Sequence, residues 1–129
     1  MSMYINVSEF KIKDNKLDAN YTELSREIVV TEFLNDLLIG KYISLFSAFE
    51  EGEVLEYKEI TKKNIASLSK EIDRLSDELF VDLQNALGKS KKEEIVSKLR
   101  DVTLINQLIK VFLLNGGLDT SSNVKIIIS

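Results

Sequence analysis

The chain has 129 residues, 44% of them hydrophobic and 29% charged, with 17 basic side chains against 21 acidic ones. That length suits one domain with one sizeable core, and a net charge of −4 offers no general attraction to nucleic acid or anionic lipid. Cys, His, Trp and Pro are absent, which excludes zinc ribbons, disulfide frameworks, thiol nucleophiles and imidazole chemistry.

The first residues, Met1 to Ile5, lack a basic region followed by an apolar run, so no secretory signal is expected. Tyr4 to Ile12 alternates apolar and polar, with a slip of phase near Glu9 that suits a bulge. Asp14-Asn15 is a turn signal, and Leu17 to Tyr21 alternates again. A β-hairpin over residues 1–22 follows. At the other end, Val124-Lys125-Ile126-Ile127-Ile128 is dense in β-branched residues and predicts a strand over 123–129. A lone hairpin is marginal in water, so this strand is expected to join it in one small sheet.

Between the ends, helical periodicity predicts three long helices, at 23–50, 54–87 and 91–115. The first carries Val30, Leu34, Leu37, Leu38, Leu45 and Ala48 on one face, with Ile39, Ile43 and Phe46 on roughly the other. Glu32, Asp36 and Lys41 interrupt it and argue against a membrane span. The second has a seam of Ile65, Leu68, Ile72, Leu75, Leu79, Leu83 and Leu87 and is expected to stop at Gly88. Phe80 and Val81 lie beside or opposite that seam. The third opens at Ser90-Lys91-Lys92-Glu93, which fits a capping box, and closes at Asn115-Gly116-Gly117. One of its stripes is Ile95, Leu99, Val102, Ile109 and Leu113; Leu104, Leu108 and Val111 make a second, nearly opposite. The fold class is α+β, mostly α: one domain with an N-terminal hairpin, three helices and a C-terminal strand.

Helices of about 25 to 34 residues would span roughly 37 to 50 Å, against a radius of gyration near ~14 Å for a domain of this size. Such helices protrude, and those apolar on two sides need a partner. The expected function is therefore non-enzymatic protein binding, with Ile39, Ile43, Phe46, Phe80, Val81, Leu104, Leu108 and Val111 as contact residues. The partner is another protein or a second copy of the chain, with a homo-oligomer favoured; no membrane, nucleic acid or cofactor is expected. The abundance of Ile, Lys, Asn, Leu and Glu fits an AT-rich bacterial genome or a phage within one, hence a cytoplasmic accessory: an inhibitor, antidote or adaptor. A self-assembling phage component is the alternative.

Chemistry without His or Cys would have to run through carboxylates, chiefly Glu50, Glu51, Glu53, Glu56, Asp73, Asp77, Glu78 and Asp82. Carboxylates one turn apart on facing helices can hold Mg²⁺ for phosphoryl chemistry. Glu53-x-x-Glu56 is similar in spacing to the first acidic motif of the all-α pyrophosphohydrolases of the MazG type, and that resemblance implies a Mg²⁺-dependent nucleotide pyrophosphohydrolase. Asp73-x-x-x-Asp77 departs from the second motif of that family. A solvated helix face is the preferred reading, and no catalytic or metal-binding residue is assigned.

Overall fold

A computed structural model describes residues 3–13, 16–39, 47–50, 53–56, 61–119 and 122–128. In chain order the elements are β1 (Tyr4–Lys13), β2 (Lys16–Glu23), β3 (Ile28–Val29), α1 (Glu32–Ile39), β4 (Ser47–Glu50), β5 (Glu53–Glu56), α2 (Lys62–Asn85), α3 (Lys89–Leu114) and β6 (Val124–Ile128). The architecture is α+β, with α2 and α3, of 24 and 26 residues, as its longest elements. Among the described residues, no helix is long and apolar enough to cross a membrane.

The hairpin forms where alternation places it. β1 and β2 pair antiparallel, closing at Lys13 opposite Lys16, and the register shifts between Phe10 and Ile12. The phase slip read near Glu9 thus falls slightly later. β6 pairs antiparallel with β1 from Ile5–Ile128 to Glu9–Val124, so the two ends of the fold share one sheet. The sheet is larger than the sequence reading allowed. It has six strands in the order β2-β1-β6-β4-β5, with β3 beside the start of β1.

The extra strands replace much of the first long helix. Residues 23–50 are not one helix: α1 covers only Glu32–Ile39, and Ser47–Glu50 is a strand. Chain-local hydrogen bonds explain where the helix begins. The Val7 amide donates to Ser25 Oγ (2.8 Å), which holds the connection after β2 against β1. Thr31 Oγ1 accepts the Leu34 amide (3.2 Å), which makes Thr31 the N-cap. Leu34 and Leu38 are buried and Leu37 partly so, as their spacing required. Residues 40–46, which the expected helix included, lie outside the described residues. Likewise the second helix begins at Lys62 instead of residue 54, capped by Thr61, whose side chain accepts the Asn64 amide (3.1 Å).

Both faces of β1 are covered. Ile5 and Val7 join Val124 and Ile126 in the core shared with all three helices. Alternation sends Asn6, Ser8 and Phe10 to the opposite face, where they are also buried, as is Ile127. β2 and β5, at opposite ends of the strand order, approach each other, so the sheet is coiled around this second face. The polar groups there are satisfied: Ser8 Oγ donates to Asn6 Oδ1 (3.0 Å), and Asn6 Nδ2 donates to Glu23 Oε1 (3.4 Å). Phe10 stacks obliquely on its cross-strand partner Tyr21, with ring centroids 5.4 Å apart.

The α2 seam is buried from Ile65 through Leu79, with Leu75 and Leu83 partly covered; Leu87 lies beyond the helix and is exposed. Gly88, at φ +85°, is the N-cap of α3 and makes no side-chain cap. The predicted capping box is therefore not formed, because Ser90 already lies inside the helix. The other end matches its glycines. Gly116, at φ +73°, donates to the Leu113 carbonyl (3.1 Å), and Gly117 donates to the Phe112 carbonyl (2.9 Å). This paired return is the Schellman arrangement, which needs a left-handed residue at the first glycine.

Gly117 has a second constraint, since a Cβ there would stand 2.2 Å from the ring of buried Phe112. Gly116→Ala is expected to lower stability by about 1–2 kcal/mol through its backbone conformation. Gly117→Ala should lower it by about 1–3 kcal/mol through overpacking. Urea denaturation measures both.

Candidate functional site

The residues proposed as contacts are scattered by the fold. Ile43 and Phe46 lie outside the described residues; Ile39 ends α1, and its side chain also lies outside them. The second stripe of the third helix is not free. Leu108 is only 2% exposed, a correction to its assignment as a surface contact, and Leu104 and Val111 are half-buried against the core. A helix apolar on two sides is here covered by α2 on one and by α1, β1 and β6 on others.

Phe80 and Val81 have the opposite fate. They are 57% and 52% exposed on the last turns of α2, and Leu87 in the connection to α3 is 89% exposed. Burial ends at Leu79 on the way out and resumes at Ile95 on the way back, with no fully buried residue from 80 through 94. The two helices are about 36 and 39 Å long by their rise per residue, and toward this tip Leu83 and Ala86 are only partly buried against the core. Lys89, Lys91 and Lys92 surround its turn, with Lys89 near Glu93 (3.9 Å) and Lys91 near Glu94 (3.5 Å). Farther down α2, Arg74 bridges Glu71 (2.7 Å) and Glu78 (2.6 Å). Exposed pairs of this kind contribute little to stability.

A second feature, absent from the sequence reading, lies along α1. Asp101, on α3, is only 8% exposed, and its Oδ2 accepts from Thr31 Oγ1 at 2.7 Å. Thr31 thus both caps α1 and ties it to α3, and the positive end of α1 favours the carboxylate beside it. Asp101 shares its helix face with Ile105, Leu108 and Phe112, at spacings of four, seven and eleven. A polar residue in a buried stripe was the signal available; dividing the third helix into other stripes concealed it.

Beside this contact runs a groove of about 460 Å³ lined by Thr31, Glu32, Phe33 and Asp36 from α1 and by Glu94, Ser97, Lys98 and Asp101 from α3. A notch of about 230 Å³ adjoins it across Phe33 and Asp36, with Leu37, Glu71 and Leu75 as its other walls. Lys98 Nζ stands 5.7 Å from the Phe33 ring centre and 3.5 Å from Glu94 Oε1. Lys91 first, and then Lys98, hold the Glu94 carboxyl below its ordinary range.

The acidic candidates do not assemble. Glu53 and Glu56 lie on strand β5, so the helical spacing behind the pyrophosphohydrolase likeness is not realised. Asp73 and Asp77 are exposed on α2. Glu51 lies outside the described residues. Among the described residues, no group of three carboxylates is placed to hold a metal ion. β6 is paired by β1 along Val124–Ile128 and by β4, in parallel, at Ile127 and Ile128. No protein-family model, curated protein or solved structure matches the chain.

Thr31→Val removes both the cap and the donor to Asp101. It should lower stability by about 2–4 kcal/mol, combining cap loss with a buried carboxylate left without its hydroxyl. Thr31→Ser should retain most of it. Equilibrium unfolding of the two variants distinguishes this bond from simple packing.

Proposed function

We propose that this chain is a non-enzymatic protein-binding protein that meets its partner with the tip of the α2–α3 hairpin. The observation that carries the reading is the tip itself. Residues 80–94 contribute no fully buried side chain to the fold, with Leu83 and Ala86 partly buried against the core, and they present Phe80, Val81 and Leu87 to solvent. One exposed apolar residue is ordinary, but three on a projecting hairpin end form a compact anchor for a partner's apolar pocket. The partner is another protein or a second copy of this chain, and the lysine-rich turn favours an acidic rim around that pocket. The composition supports a cytoplasmic accessory of a bacterium or mobile element, acting as inhibitor, antidote or adaptor. The apolar faces first expected to carry binding are narrowed to this tip, because α3 spends its second stripe inside the molecule.

The test compares the chain with the double variant Phe80→Asp, Val81→Asp. Both residues are exposed, so thermal unfolding should shift by less than about 1 kcal/mol. Light scattering and co-purification from the native cell should show a complex or oligomer for the parent, and its loss in the variant. A strictly monomeric parent that captures nothing contradicts the proposal, as does a variant that captures as the parent does. A closed assembly of six or more identical chains would instead favour the structural-subunit reading.

A further inference from the structure

We propose that the occupant of the hairpin tip is a second copy of this chain, docked antiparallel along α2 about a two-fold axis between Phe80 and Val81. The inference rests on the tip being a binding surface, and it names what covers that surface. The first observation is where the apolar pair sits. At 100° per residue, Asp73, Asp77, Phe80, Val81 and Gln84 fall within an arc of about 100° on α2. All five are exposed, and the buried seam from Ile65 to Leu79 lies on the other side of the helix. The patch is therefore one face of a straight helix, which a second helix can lie along.

The second observation is the charge on either side of the patch. Between residues 71 and 82 the sequence sets Glu71, Asp73, Asp77, Glu78 and Asp82 against Arg74 alone. Between residues 83 and 92 the charged side chains are Lys89, Lys91 and Lys92. Asp73, Asp77 and Lys92 form no ion pair among the described residues. Asp73 lies about 11 Å before the midpoint of Phe80 and Val81, and the lysines lie beyond the helix end on the other side. A two-fold axis through that midpoint sets Phe80 of each copy against Val81 of the other. It also carries the lysine turn of each copy to the Asp73 end of the other. A two-fold contact demands a self-complementary surface, and this charge order supplies one at both ends at once. An anionic membrane or a nucleic acid would match the lysines but would be repelled by the carboxylates beside Phe80. The overlap from Asp73 to the helix end is about 20 Å, a small contact of the concentration-dependent kind.

Charge reversal with rescue tests this register. Sedimentation of the full chain from micromolar to millimolar concentration should show a monomer–dimer equilibrium. Two variants reverse one end each: Asp73→Lys with Asp77→Lys, and Lys89→Glu with Lys92→Glu. Each alone places like charges at both ends of the dimer, so self-association should weaken by about tenfold or more. An equimolar mixture restores both attractions, and a heterodimer should form with about the parent's affinity. All four positions are exposed, and circular dichroism verifies that each variant is folded. Folded variants that dimerise as the parent does overturn the proposal, as does a mixture that fails to form the heterodimer. A parent that stays monomeric at millimolar concentration, yet captures a different protein through Phe80 and Val81, overturns the second copy as occupant and leaves the tip as a binding surface. A monomer that captures nothing overturns both.

Discussion

The pairing of β6 between β1 and β4 is the constraint on which the rest of the molecule rests. It brings together segments separated by more than a hundred residues, and its five-pair ladder with β1 runs through the centre of the sheet. Closing so long a loop is entropically unfavourable, though the penalty grows only logarithmically with length. Burial of Val124, Ile126 and Ile127 opposes it, at about 1.5–3 kcal/mol for each side chain. Because the contacts are so distant in sequence, they form late and slow folding relative to a pure helical bundle.

With β6 in place, the remaining elements have little freedom. Ile5, Val7, Val124 and Ile126 provide the apolar surface against which the helices pack. α1 is too short to be stable alone, and it is held by Leu34 and Leu38 in the core and by Thr31 on Asp101. The same hydroxyl that ends the backbone's unmet demand at the start of α1 also neutralises half of a buried carboxylate's demand on α3. The fold leaves Phe80, Val81 and Leu87 exposed at the hairpin tip, and acidic residues line the groove along α1.

Much of this was legible in the residues. Period-two alternation located β1 and β2, β-branching located β6, and the seam from Ile65 to Leu79 located α2. Gly116-Gly117 marked the end of α3 because Gly116 takes the left-handed turn and Gly117 leaves room for the Phe112 ring. The failure fell between residues 40 and 56, where apolar residues after Gly40 happened to prolong the 3.6-residue period of α1. Two four-residue strands are too short to establish a period of their own, and their identity comes from neighbours far away in sequence, such as β6 beside β4. The estimate of uncovered helix was also too high. Leu108 seemed to need an external partner when it had an internal one, in the core that α3 shares with α1, α2, β1 and β6. Phe80 and Val81 were placed correctly on the outside because α2 has a single, unambiguous seam. Asp101 was missed because its role depends on Thr31, seventy positions earlier.

The hairpin tip also differs from the core in local stability. Its helical turns are secured by local hydrogen bonds and weak surface pairs, so local opening there requires far less free energy than global unfolding. Amides near residue 85 should accordingly trade their protons with solvent long before those near 105. A region so loosely coupled to the core can accept new side chains with little risk to the scaffold. Substitutions at its exposed positions, Phe80, Val81 and Leu87, thus disturb little of the buried scaffold.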